Sequence, residues 1–102
     1  MSQPGTSNEQ DRLVVVDRPE RDRYELQLDD EIVGFATYSL RDDVITVPHV
    51  ETAPAHRGKD FAACLMGVVV AEARARSLTI RPLCGYANTY MRRRPDTHDL
   101  WA

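Results

Sequence analysis

From Asp22 onward, apolar and polar residues alternate. Tyr24, Leu26 and Leu28 point one way and Arg23, Glu25 and Gln27 the other, as a half-buried strand requires. Asp29-Asp30 then reads as a tight turn, because aspartate tolerates the left-handed region and bonds its own backbone. Ile32 to Ser39 is the next predicted strand, with Gly34 marking a bulge or a close backbone approach. Arg41-Asp42-Asp43 makes a second turn. Val44 to Val50 resumes the alternation, with Val44, Thr46 and Pro48 on one face. Ile45, Val47 and His49 share the other, which places His49 against the core. Three strands joined by two short turns form an antiparallel meander. Upstream, Val14-Val15-Val16 opens a strand that Asp17-Arg18-Pro19-Glu20 breaks.

Past the corner at Pro54 the period lengthens to that of a helix, beginning near Gly58. Phe61, Leu65, Val68 and Val69 fall on one helical face, and Met66, Val70 and Ala73 widen it. The β-branched run Val68-Val69-Val70 weakens intrinsic helicity, but the continuous period prevails. After Ser77, Leu78-Thr79-Ile80 reads as a short buried strand stopped by Pro82. Gly85 to Arg94 forms a second helix that ends before Pro95, and Leu100 and Trp101 are anchors for the tail. The fold class is therefore α+β (mixed α/β): a three-strand antiparallel meander, a long helix, a parallel crossover strand and a second short helix.

Composition sets bounds on this picture. A chain of 102 residues builds one small domain with a single core. Residues 1–12 are polar and read as a disordered tail before a domain at 13–102. A net charge of −3 argues against nucleic acid as a partner. No stretch approaches the ~20 apolar residues of a membrane span, and the N-terminus lacks a secretory pattern. The expectation is a cytoplasmic protein with no membrane partner. Cys64 and Cys84 form no CxxC pair, and His49, His56 and His98 show no metal-ligand spacing. Neither a structural disulfide nor a metal is expected.

The stretch built for chemistry runs from His49 to Met66. It ends a strand, turns a corner and enters the long helix through Arg57-Gly58-Lys59. Such a junction presents unpaired backbone N–H groups and the positive end of a helix dipole, the ordinary setting for a phosphate.

Two segments together carry a family resemblance. Arg57-Gly58-Lys59-Asp60-Phe61-Ala62 resembles the Q/R-x-x-G-x-G/A pyrophosphate loop of GNAT-type N-acetyltransferases. His49-Val50-Glu51-Thr52, Pro82-Leu83-Cys84-Gly85-Tyr86, Tyr90 and Arg94-Pro95 resemble a subgroup of very short GNAT-like proteins. The similarity runs over roughly residues 22 to 100. It implies acetyl-CoA as cofactor, with Arg57, Gly58, Lys59, Asp60, Phe61 and Ala62 as the pyrophosphate loop. Thr52 and Glu51 then lie beside the pantetheine at the strand's end, and Tyr86 lines the same cleft. Asp60 stands where the motif has its first glycine. Its Cβ and negative charge oppose close approach to a diphosphate, and Arg57 and Lys59 offset part of that. Larger GNAT enzymes wall the acceptor site with N-terminal helices for which this chain has no room. The acceptor pocket is then shallow or completed by a partner, a homodimer included.

Amide formation from a thioester needs a neutral amine, donors for the oxyanion and a proton for the leaving thiolate. Glu51 is the candidate base; its alternative is a surface carboxylate paired with Arg57 or Arg81. Cys84, at the start of the second helix, is a candidate for contact with the cofactor thiol or for a covalent acetyl intermediate. The alternative is a small buried core residue. Tyr90 is the candidate donor to the leaving thiolate or a packed aromatic. Arg92 to Arg94 reach the cofactor's ribose phosphate or form a solvated helix end. The function implied is transfer of an acetyl group to an amine of a small molecule or peptide. A CoA-binding or acyl-CoA-binding module with little turnover is the alternative.

Overall fold

A computed structural model describes residues 12–102, so most of the predicted tail lies outside the described residues. One sheet carries five strands in sequential order: β1 (Leu13–Arg18), β2 (Arg23–Leu28), β3 (Glu31–Arg41), β4 (Val44–Thr52) and β5 (Thr79–Pro82). The first four are antiparallel and β5 runs parallel to β4. Helix α1 (Phe61–Ala75) supplies the crossover and α2 (Gly85–Arg92) follows β5. The meander thus gains a strand at its start. β1 runs through Asp17 and Arg18, expected to break it, because both find partners: Tyr38 donates to Asp17 at 2.7 Å and Arg18 reaches Glu25 at 3.3 Å. The strand yields only at Pro19, where a 3₁₀ turn begins.

Both hairpin turns are aspartate pairs in the left-handed region. Asp29 and Asp30 have φ of 51° and 72°, and Asp42 and Asp43 have 53° and 63°. This is the backbone of a type I′ turn, whose twist matches that of the strands it joins. Helix α1 starts at Phe61 rather than near Gly58, because Gly58 (φ 85°) and Asp60 (φ 60°) are themselves left-handed. It ends with Ser77 at φ 57°, where Ser77 N–H bonds Arg74 and Leu78 N–H bonds Ala73, closing off the last carbonyls. Helix α2 stops at Arg92, two residues short of expectation.

Tyr24, Leu26, Val33, Ala36, Ile45, Val47 and Ile80 of the sheet bury against Phe61, Leu65, Met66, Val69 and Ala73 of α1 and Ala87 and Met91 of α2. Burial of Val69 overrides its weak helix propensity. Both helices lie on this one face, and among the described residues no helix covers the other. The C-terminus returns to the sheet edge, where Ala102 N–H donates to Ile80 O at 2.8 Å and Leu100 is buried. No helix among the described residues is long and apolar enough to cross a membrane.

Two departures from simple alternation shape the site. In the β3–β4 ladder Thr37 pairs with His49 but Ser39 with Thr46, so Val47-Pro48 opposes Tyr38 alone. The bulge absorbs a proline that cannot donate within a central strand, and it reverses which side chains face inward. His49 is therefore exposed rather than packed with Ile45 and Val47. Glu25, expected on a solvated face, is fully buried beneath three arginines.

Candidate active site

Strands β4 and β5 stay paired only from Val44–Thr79 to Val47–Pro82. There the N–H groups of Leu83 and Cys84 both donate to Val47 O, at 3.0 and 3.1 Å, and the chain turns into α2. β4 continues alone to Thr52, opening a gap between the two strands. Ala53 N–H bonds Val33 O, so Glu51 and Ala53 direct their backbone groups at β3. By the same alternation Val50 and Thr52 present theirs to the gap.

At the mouth of this gap the predicted cofactor residues come together. Thr52, Arg57, Gly58, Asp60, Phe61, Ala62 and Tyr86 line one pocket of about 230 Å³. Lys59 stands at its side, Nζ 3.3 Å from His56 Nδ1 and 5.7 Å from the Phe61 ring. His56, which sequence spacing left without a role, also lines the pocket and stacks on Phe61 with ring centroids 5.4 Å apart. Arg57 Nε donates to Thr52 O at 3.4 Å, tying the loop back to the strand.

The left-handed residues decide what the loop offers. Asp60 makes no side-chain capping bond to α1, so the amides of Phe61 and Ala62 are not consumed by its carboxylate. With Arg57, Lys59 and the helix dipole they fit a diphosphate; the Asp60 carboxylate works against them.

A second hollow of about 350 Å³ adjoins the first through Asp60 and Tyr86, and adds Ala63, Tyr90, Arg93 and Arg94. Tyr86 and Tyr90 meet with ring centroids 6.3 Å apart, and the Arg94 guanidinium lies 3.7 Å over the Tyr90 ring. The Tyr90 hydroxyl points at α1, 3.8 Å from where a Cβ on Gly67 would stand. Burial, then the neighbouring Tyr90, raises the Tyr86 pKa against the opposing Arg94 charge, so Tyr86 is a protonated phenol at neutral pH. Cys84 caps α2 at the fork of β4 and β5, half-buried against the core.

Glu51 sits across the sheet from these residues. It shares the uncovered face with Phe35, and His49 Nε2 lies 3.1 Å from its Oε1. Its partner is thus His49, not Arg57 or Arg81. A shallow hollow of about 190 Å³ beside it includes Arg23 and Phe35. Among the described residues no group of His, Cys, Asp or Glu is placed to hold a metal ion.

Comparisons with known proteins agree with this architecture. A GCN5-like protein of Staphylococcus aureus has a similar fold, with a TM-score of 0.66 at 18% identity over 89% of each chain. The ribosomal-protein-S18-alanine N-acetyltransferase of Escherichia coli superposes with a TM-score of 0.61 at 13% identity, covering 80% of this chain and 51% of that one. An N-acetylglutamate synthase of Neisseria gonorrhoeae, solved with coenzyme A and N-acetyl-glutamate, gives 0.60 at 14% identity, covering 84% of this chain but 22% of its own. A search of curated protein sequences finds no match. The family model described as GCN5-related N-acetyl-transferase matches residues 23–100, and the chain belongs to that family of acetyltransferases.

Proposed function

We infer that this chain is an N-acetyltransferase that uses acetyl-CoA and acetylates an amine of a small molecule or peptide. The observation that carries the reading is the pocket in which Thr52, Arg57, Gly58, Asp60, Phe61, Ala62 and Tyr86 meet beside the β4–β5 gap. Arg57, Lys59 and the first-turn amides of α1 would hold the diphosphate. Val50 and Thr52 would bond the amide-containing pantetheine arm as an added strand would. When bound, acetyl-CoA supplies an acyl group already activated as a thioester.

The chain's own residues then divide the work. Glu51, on the open face with His49 beside it, takes a proton from the incoming amine. Transfer would replace the thioester C–S bond by a C–N bond, so the departing thiolate would need a proton. Tyr86 and Tyr90, on the helix side of the gap, are the candidate donors. Cys84, at the fork where β5 leaves β4, would serve as a thiol lining the gap or as a transient acetyl carrier. No acetyl adduct by intact mass after incubation with acetyl-CoA would remove the covalent role.

The direct test is calorimetric titration of acetyl-CoA against wild type, Asp60→Gly and Gly58→Glu, followed by thiol release with a panel of amines. Asp60→Gly is expected to bind more tightly and Gly58→Glu not at all. No binding by any of the three would overturn the reading, and binding without thiol release would leave a CoA-binding module. Glu51→Gln is expected to lower kcat by about 100-fold or more, the ordinary worth of a positioned base.

A further inference from the structure

The open face of the sheet carries two cross-strand rows. One reads Val16, Glu25, Phe35 and Glu51; the next reads Arg18, Arg23, Thr37 and His49. Glu51 and His49 form one end, at the β4–β5 gap. Two strands away, at roughly 10 Å by ordinary strand spacing, stands the other end. There three guanidiniums converge on the buried Glu25: Arg18 at 3.3 Å, Arg21 at 2.9 Å and Arg23 at 2.6 Å. Glu25 receives all three, and Glu20 and Asp22 lie exposed on the adjoining turn.

Arg23 is the member that faces the hollow. It commits Nε and Nη2 to Glu25, and its guanidinium lies 4.8 Å over the Phe35 ring. The same hollow, lined by Arg23, Ile32, Gly34, Phe35 and Glu51, joins the two ends. A planar cation held from behind by a buried carboxylate and supported by a ring loses little freedom on meeting an anion.

We propose that the acceptor is an amine that also carries a carboxylate, bound across the open face with its amine at Glu51 and its carboxylate at Arg23. The inference rests on the acetyl-transfer reading, since it takes Glu51 as the place where the amine reacts. A simple cationic amine would offer the Arg23 side of the hollow no anion and would place a second cation near it. Phe35 and Ile32 supply the apolar wall for the carbon chain between the two charges. The carboxylate takes no part in bond making; it orients the amine.

The test pairs ω-amino acids of graded chain length with amino alcohols of the same length. A parallel arm uses peptides with free N-termini carrying Asp or Asn at the second position. In wild type, kcat/KM should favour the carboxylate member by about tenfold or more, chiefly through KM. Arg23→Gln should bring that ratio near one, and Arg23→Lys should restore part of it. Arg21→Gln, at the more exposed arginine, should lower the ratio while Arg23 stays paired, which guards against a misfolded variant. Preference confined to ω-amino acids assigns a small acceptor, and preference confined to Asp peptides assigns a peptide; either supports the subsite. A ratio near one in wild type overturns it. If acetyl-CoA binds but no amine is turned over, the transferase reading fails. Amide NMR shifts at Phe35 and Glu51 on adding ω-amino acids to the loaded protein then decide the subsite, and their absence overturns it.

Discussion

At the scale of single residues, Asp60 and Gly58 share a left-handed backbone but carry opposite predictions. Asp60→Gly removes a negative charge from beside the helix N-terminus that serves the proposed cofactor. It also eases the left-handed conformation while giving up the carboxylate's favourable interaction with the dipole. Those small terms oppose, so stability should stay within about 0.5 kcal/mol while acetyl-CoA affinity rises. Gly58 has φ 85°, and a Cβ added there would meet nothing within 4 Å, so an alanine fits in space and strains only the backbone. Gly58→Ala should cost about 1–2 kcal/mol in chemical denaturation. Glu25 gives a pH signature. Burial pushes its carboxyl up, but hydrogen bonds from Arg23, Arg21 and Arg18 outweigh it and hold the pKa below the ordinary 4.5. A lowered folded-state pKa means stability fully present above about 4.5 and lost as pH falls toward the folded value. Glu25→Gln should flatten that acid limb and cost about 1–3 kcal/mol at neutral pH, because the charge-assisted bonds from three part-exposed guanidiniums become bonds to a neutral amide.

At the scale of elements, close approach of β3 and β4 depends on Gly34. A Cβ there would meet the Glu51 carbonyl at 2.9 Å, a backbone contact that only strand separation relieves. Gly34→Ala should destabilise by about 1–3 kcal/mol and disturb Glu51, lowering turnover more than acetyl-CoA binding. The hairpins were legible because Asp29-Asp30 and Asp42-Asp43 carry their turn chemistry locally. The loop was legible because Arg57 to Ala62 is contiguous. The first strand was not, since what keeps Asp17 and Arg18 extended is their contact with Tyr38 and Glu25. His49 was misplaced because a bulge shifts parity by one residue, which period counting cannot detect beyond Pro48.

At the scale of the whole molecule, helices on one face and an open sheet on the other divide the proposed work. The cofactor would approach from the helix side and the acceptor from the open face, meeting at the gap where β5 ends. Because such a ligand bridges β4, α1 and α2, it should stabilise the domain as a unit. Acetyl-CoA at about 100 times its Kd should add about 2.7 kcal/mol. In a domain of this size that raises Tm by about 10 °C or more, readable by differential scanning calorimetry. An unmoved Tm at saturating acetyl-CoA would count against the pocket as its site.

The amino-acid order by itself determined the meander, the long helix, the crossover strand and the loop that opens α1. These rest on periodicity, turn residues and contiguous motifs, all local properties of the chain. Tertiary structure alone decided that Glu51 and Cys84 lie on different sides of the sheet, that Glu25 is buried under three arginines, and that β4 outruns β5. Each depends on strand register and on groups far apart in the chain, and register is set by the packing of whole elements rather than by neighbouring residues.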